Sequence, residues 1–198
     1  MEKKTLPEKL APVLKCEIIR ERRVRLCFQD EARFGRMVRF RRCWAPHPLR
    51  PKVCNGYERQ FTYVYGAVSP QEGQLDWRLS AQMNTVEMNA FLSQTSAAHL
   101  EEFIIMILDG ASSHKSQGLV VPENMRLIGL PAYSPELNPQ EHVWDELREK
   151  AFPNRVSPDM EQVVTGLKQE LGTMSSDGER LRSLTAWPWI LSLNLTVN

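Results

Sequence analysis

The sequence predicts a mixed α/β fold, and three stretches carry that prediction. Phe103–Leu108 is a continuous apolar run, as expected of a central strand covered on both faces. Val24–Glu31 alternates with period two, as a strand with one buried face does. Pro131–Trp144 reads as a strand exit, a proline-stiffened turn and a helix start, so strands and helices are interleaved. A chain of 198 residues is long enough for one substantial core with an appendage.

Taken in order, residues 1–20 form a tail or a short docking helix. In the first strand Val24, Leu26, Phe28 and Asp30 share one face, and Arg25, Cys27, Gln29 and Glu31 share the other. A basic ribbon follows from Arg33 to Trp44 with a turn at Gly35, then a proline-rich connector through Pro51. Gln60–Val68 and Gln74–Met83 flank Ser69–Gly73 as a hairpin. Thr85 caps a helix running to about Leu100, with Val86, Ala90, Phe91 and Leu92 partly inward. The apolar strand ends in Asp109-Gly110, and Arg126–Leu130 is another short strand.

Asn138 is a strong N-cap type, and Pro139 suits a first helical position, where its missing N–H would be unpaired anyway. Val143, Trp144, Leu147 and Ala151 then form a buried stripe. Two further helices run from Ser157-Pro158-Asp159 to about Gly172 and from Ser176 to about Thr185, before the Trp187-Pro188-Trp189 tail. This order divides the chain into a tail (1–20), a core (21–155) and a C-terminal helical appendage (156–198).

Hydrophobic residues make up 42% and charged residues 25%, ordinary for a globular domain. The longest apolar run is too short to span a bilayer, and no signal-like segment opens the chain, so a cytoplasmic protein without membrane partners is expected. Cys16, Cys27, Cys43 and Cys54 lack zinc-type spacing and are expected as reduced, mostly buried thiols. Charge is unevenly spread: Arg20–Lys52 holds eleven basic residues against three acidic ones, in a chain of net charge +1. An arginine-rich stretch of this kind suits phosphate contacts, and equally a solvated charged face.

Three acids stand where open α/β sheets gather ligands, at strand ends and a helix start. Asp30 extends an apolar row, a costly place for a carboxylate without a cation, which favours it over Glu31. Asp109 closes the central strand, although Asp-Gly is also a common turn signal. Glu141 lies in a first helical turn, favoured by the helix dipole, where a capping-box role competes. Three carboxylates brought together demand cations, and all-oxygen ligands suit two Mg2+ or Mn2+ ions of the kind used in phosphodiester chemistry. His114 and His142 lie near these positions, but a histidine without a visible partner is more often incidental.

Phe28-Gln29-Asp30-Glu31-Ala32-Arg33-Phe34, Leu108-Asp109-Gly110-Ala111-Ser112-Ser113-His114 and Tyr133–Trp144, in this order, resemble the three-acid core of mariner-superfamily transposases, in particular the bacterial insertion-sequence six-thirty family. The resemblance covers roughly residues 24 to 152. It implies a ribonuclease H-like fold, a central mixed sheet flanked by helices, with Asp30, Asp109 and Glu141 as the catalytic, metal-binding acids. It also implies metal-dependent DNA cleavage and strand transfer on transposon ends and target DNA. Arg33, Arg36, Arg39, Arg41 and Arg42 would position phosphates without reading sequence. The spacing from Asp109 to Glu141 is shorter than the family pattern. Members also carry helix-turn-helix modules before the core, for which the first twenty residues have no room. The chain thus resembles a catalytic half, with a separate end-binding segment and a homodimer as expected partners. Two rival readings are a decayed or repurposed DNA-binding module without catalysis and a structure-selective nuclease.

Overall fold

The computed structural model describes residues 6–14, 22–36, 44–50, 52, 59–109, 118–131, 134–152, 156–193 and 195. A short helix α1 (Leu6–Leu14) precedes strands β1 (Arg23–Gly35), β2 (Phe61–Ser69) and β3 (Gln74–Ser80). Helix α2 (Thr85–Ala98) leads into β4 (Glu102–Leu108) and β5 (Met125–Gly129). A single 3-10 turn (Pro135–Leu137) precedes α3 (Gln140–Ala151), α4 (Met160–Ser176), α5 (Gly178–Thr185) and α6 (Pro188–Leu191). The strands form one sheet in the order β3-β2-β1-β4-β5. β1 pairs antiparallel with β2 and parallel with β4, which makes the sheet mixed and puts β1 at its centre.

Period-two alternation in β1 divides the core into two layers. Val24, Leu26, Phe28, Ala32 and Phe34, with Ile105 and Ile107 of β4, lie under Val143, Trp144 and Leu147 of α3 and Val163, Leu167 and Leu171 of α4. On the other face Cys27, Tyr65, Ala67, Ile104 and Met106 pack against Met88, Phe91 and Leu92 of α2. Helices on both faces explain why β4 is apolar from Phe103 to Leu108. The C-terminal tail closes the first layer, with Trp189 edge-on to Phe28 at 6.0 Å between ring centroids. Cys27 is a buried free thiol, while Cys16, Cys43 and Cys54 lie outside the described residues. No helix among the described residues is long and apolar enough to cross a membrane.

Several boundaries differ from expectation. β1 continues beyond Glu31 to Gly35, because Ala32 and Phe34 extend its apolar row and β2 pairs with it as far as Gly35↔Phe61. Gly35 is therefore a strand end rather than a turn; a Cβ there would sit 2.5 Å from Phe61 Cδ1. Asn84, not Thr85, caps α2 by accepting from Glu87 N, and Val86 faces solvent at 73% exposure. α4 runs through Gly172 to Ser176, since Leu171 and Met174 keep the buried stripe in phase. The hairpin after β2 turns at Gly73, whose φ of 64° is left-handed and suits glycine.

Candidate active site

Asp30 lies in the middle of β1 on the face covered by α3, following Phe28 in the apolar row. The Trp144 indole Nε1 donates to Asp30 Oδ2 at 2.9 Å. Burial, then the charges of Glu141 and Glu31, push the Asp30 carboxyl up to about 7. The Trp144 bond and a backbone bond from Glu31 pull the other way and are outweighed.

Asp109 follows β4 directly and is half-buried. The parallel register of β1 and β4 runs to Phe28 and Ile107, and Asp109 follows two residues beyond that last paired position. Continued alternation would turn Asp109 to the face of Ile105 and Ile107, the α3 face. Glu141 occupies the first turn of α3 and is exposed. Asn138 ties that helix start to the sheet: its Nδ2 donates to the Gln29 carbonyl at 3.3 Å, and its Oδ1 accepts from Gln140 N at 3.1 Å. Pro139 thereby falls at the cap position and the helix begins one residue later than expected. Pro139 supplies no side-chain cap bond there, and the charge of Glu141 acts on Asp30.

Asp30 and Glu141 are thus close enough to interact, and Asp109 follows the carboxyl end of the neighbouring strand β4. Among the described residues no three His, Cys, Asp or Glu side chains gather tightly enough to hold an ion. Carboxylate oxygens are hard donors, so Asp30, Asp109 and Glu141 are chemically suited to a small divalent cation.

The other expected residues are more scattered. Glu31 lies on the α2 face. Arg33 stacks over the Phe61 ring at 4.4 Å, and Arg36 Nε donates to the Ser157 carbonyl at 3.2 Å. His142 packs edge-on against Trp187, 5.1 Å between centroids. Arg39, Arg41, Arg42 and His114 lie outside the described residues. The helical stripe marks Trp144 only as core, but a buried indole also needs an acceptor, and Asp30 is that acceptor. Gly66 is a further such signal, since its place inside a strand marks a close approach. A Cβ at Gly66 would stand 2.5 Å from Trp144 Cη2.

Comparisons with known proteins bear on the family and the fold. A profile described as DDE superfamily endonuclease matches residues 25–164. Uncharacterized protein y4pE/y4sA of Sinorhizobium fredii (strain NBRC 101917 / NGR234) is 34% identical over 110 residues, 53% of this chain and 78% of that protein. The Mos1 strand transfer complex matches with a TM-score of 0.62 at 17% identity, over 89% of this chain and 54% of its own. The Mos1 mariner paired end complex with Mn matches with a TM-score of 0.60 at 17% identity, over 89% of this chain and 55% of its own. The chain therefore spans about half the length of these solved chains. The shared fold is the expected ribonuclease H-like one, a mixed five-stranded sheet flanked by helices. By the match over residues 25–164, the chain belongs to the DDE superfamily endonuclease family.

Proposed function

We propose that this chain is the catalytic core of a transposase that cuts DNA and joins the freed 3′ end to a target, with Asp30, Asp109 and Glu141 as its acids. The observation that best supports the reading is the buried Asp30 of β1 close to the start of α3, whose Glu141 acts on it, with Asp109 directly after the neighbouring strand β4. Two Mg2+ or Mn2+ ions held there would supply activation of the attacking hydroxyl and neutralisation of the leaving oxygen. Asp30, fixed by Trp144, and Asp109, at the end of β4, would hold ligand oxygens on a rigid sheet. Glu141, exposed at the helix start, would complete the set from the solvent side. Arg33, Arg36, Arg39, Arg41 and Arg42 would track the DNA backbone. The catalytic unit would span residues 21–155, act as a homodimer and receive transposon ends from a separate helix-turn-helix segment.

The test is nicking and strand transfer on DNA bearing the element's own ends, with Mg2+ or Mn2+, with and without a supplied end-binding domain. Asp30→Ala, Asp109→Ala and Glu141→Ala should each abolish both reactions while leaving far-UV circular dichroism unchanged. Metal-dependent nicking by Glu141→Ala at the wild-type rate would remove Glu141 from the site. A second reading, a non-catalytic DNA-binding module, draws on the absence of a three-acid cluster among the described residues. Supercoiled plasmid left intact in both Mg2+ and Mn2+ would favour it. Cleavage without joining would favour a plain nuclease.

A further inference from the structure

Gln140 opens α3 fully buried, yet among the described residues neither its Nε2 nor its Oε1 has a hydrogen-bond partner. Buried side-chain amides are nearly always paired, so one left open on both atoms calls for an explanation. Its position supplies one. Gln140 Nε2 lies over Gly66, 2.7 Å from where a Cβ would stand, beside Trp144 Cη2 at 2.5 Å from the same point. Gly66 is the cross-strand partner of Asp30, and residues directly opposed in an antiparallel pair project to the same face about 5 Å apart. Gln140 and Trp144 are four residues apart and share one side of the helix. Together they fill the space that the missing Gly66 side chain leaves next to the Asp30 carboxylate.

Trp144 holds one oxygen of that carboxylate, Oδ2. We propose that Gln140 is a positioning residue, whose amide becomes the second donor to Asp30 and, with Trp144, fixes the plane of the carboxylate when it carries a divalent ion. The inference rests on the metal-dependent reading above. The terminal amide torsion of glutamine is broad, so the amide can reorient without moving the helix. Gln29, the other fully buried side-chain amide with both atoms open, cannot take this role, because parity puts it on the α2 face. Gly66 is what makes the arrangement possible, since any side chain there would evict the amide or the indole.

The experiment uses the full chain and Mn2+ alone as the probe, with free Mn2+ read by electron paramagnetic resonance and melting followed in parallel. Gln140→Met and Gln140→Leu keep the volume and remove the amide. Removing an unpaired buried amide should leave the metal-free Tm unchanged or raise it, while Mn2+ affinity falls about tenfold or more. Half-saturation of nicking by Mn2+ should shift by the same factor. Wild-type Mn2+ affinity in both variants overturns the inference and leaves the metal-dependent reading standing. No Mn2+ binding by the wild-type chain overturns both. A lowered metal-free Tm with unchanged Mn2+ affinity marks a purely structural amide and also overturns it.

Discussion

Trp144 Nε1 donates to Asp30 Oδ2 at 2.9 Å, joining two residues 114 positions apart in sequence. One side chain thus serves the core, edge-on to Phe34, and the site. Trp144→Phe keeps most of the packing and removes the donor. A hydrogen bond to a charged group contributes about 1.5–3 kcal/mol. At pH 8 the variant should lose roughly 2 kcal/mol of stability, and distinctly less in an Asp30→Ala background. Equal losses in both backgrounds, measured by urea denaturation, would show that the indole acts through packing alone.

Two strand glycines give a matched comparison. Gly66→Ala puts a methyl within 3 Å of Trp144 and Gln140, whereas a Cβ at Gly129 meets nothing within 4 Å. Overpacking of a tight site costs about 1–3 kcal/mol. Gly→Ala at an unstrained position gains about 0.4–1 kcal/mol, because it narrows the unfolded ensemble. Gly66→Ala should therefore melt lower and change the near-UV spectrum of its tryptophans, while Gly129→Ala melts at or above wild type. The reverse order would mean that α3 does not bear on β2 as described.

Asp30 should make stability depend on pH. Its carboxyl is pushed up to about 7 by burial and by Glu141 and Glu31, against roughly 3.9 when unfolded. Between those values the folded chain retains a proton that the unfolded chain has released, so stability declines as pH rises from about 4 through 7. Asp30→Asn abolishes that titration. In EDTA the variant's Tm should rise relative to wild type between pH 4.5 and 8, each 1 kcal/mol being worth about 3 °C in a domain of this size. Mn2+ at pH 8 should recover the wild type and not the variant. A Tm difference that stays flat across this range would show that Asp30 ionises normally.

The parts of this protein legible in its sequence are those governed by period and punctuation. Phe103–Leu108 announces a doubly covered strand, and Asn138-Pro139 announces a helix start, because local chemistry suffices for both. Asp30 could be singled out because a carboxylate in an apolar row violates the pattern around it. What could not be read is whatever depends on partners remote in sequence. The length of β1 is decided by pairing with β2, which carries it past Glu31 to Gly35. Gln140 reads as an unremarkable polar residue in a first helical turn, and only its position over Gly66 shows that it is buried without a partner among the described residues.

The opposite end of β1 offers a last contrast, because there the buried charges are paired. Arg25 is almost fully buried and bonds Glu102, while its NH1 reaches Gln74 Oε1 at 2.7 Å and Ser69 Oγ at 3.2 Å. Arg23, two residues earlier, approaches the same Glu102 at 3.6 Å with its side chain 68% exposed. Removing one member of a buried ion pair strands the other and costs about 3–5 kcal/mol. A solvent-exposed pair contributes at most about 1 kcal/mol. Arg25→Ala should therefore lower the urea midpoint severely, and Arg23→Ala hardly at all. Raising the salt concentration should erase the small Arg23 effect and leave the Arg25 effect in place, since screening reaches only the exposed pair. Similar losses from the two variants would mean that Glu102 is held from the solvent side, and that β1 is not anchored at this end as its burial indicates.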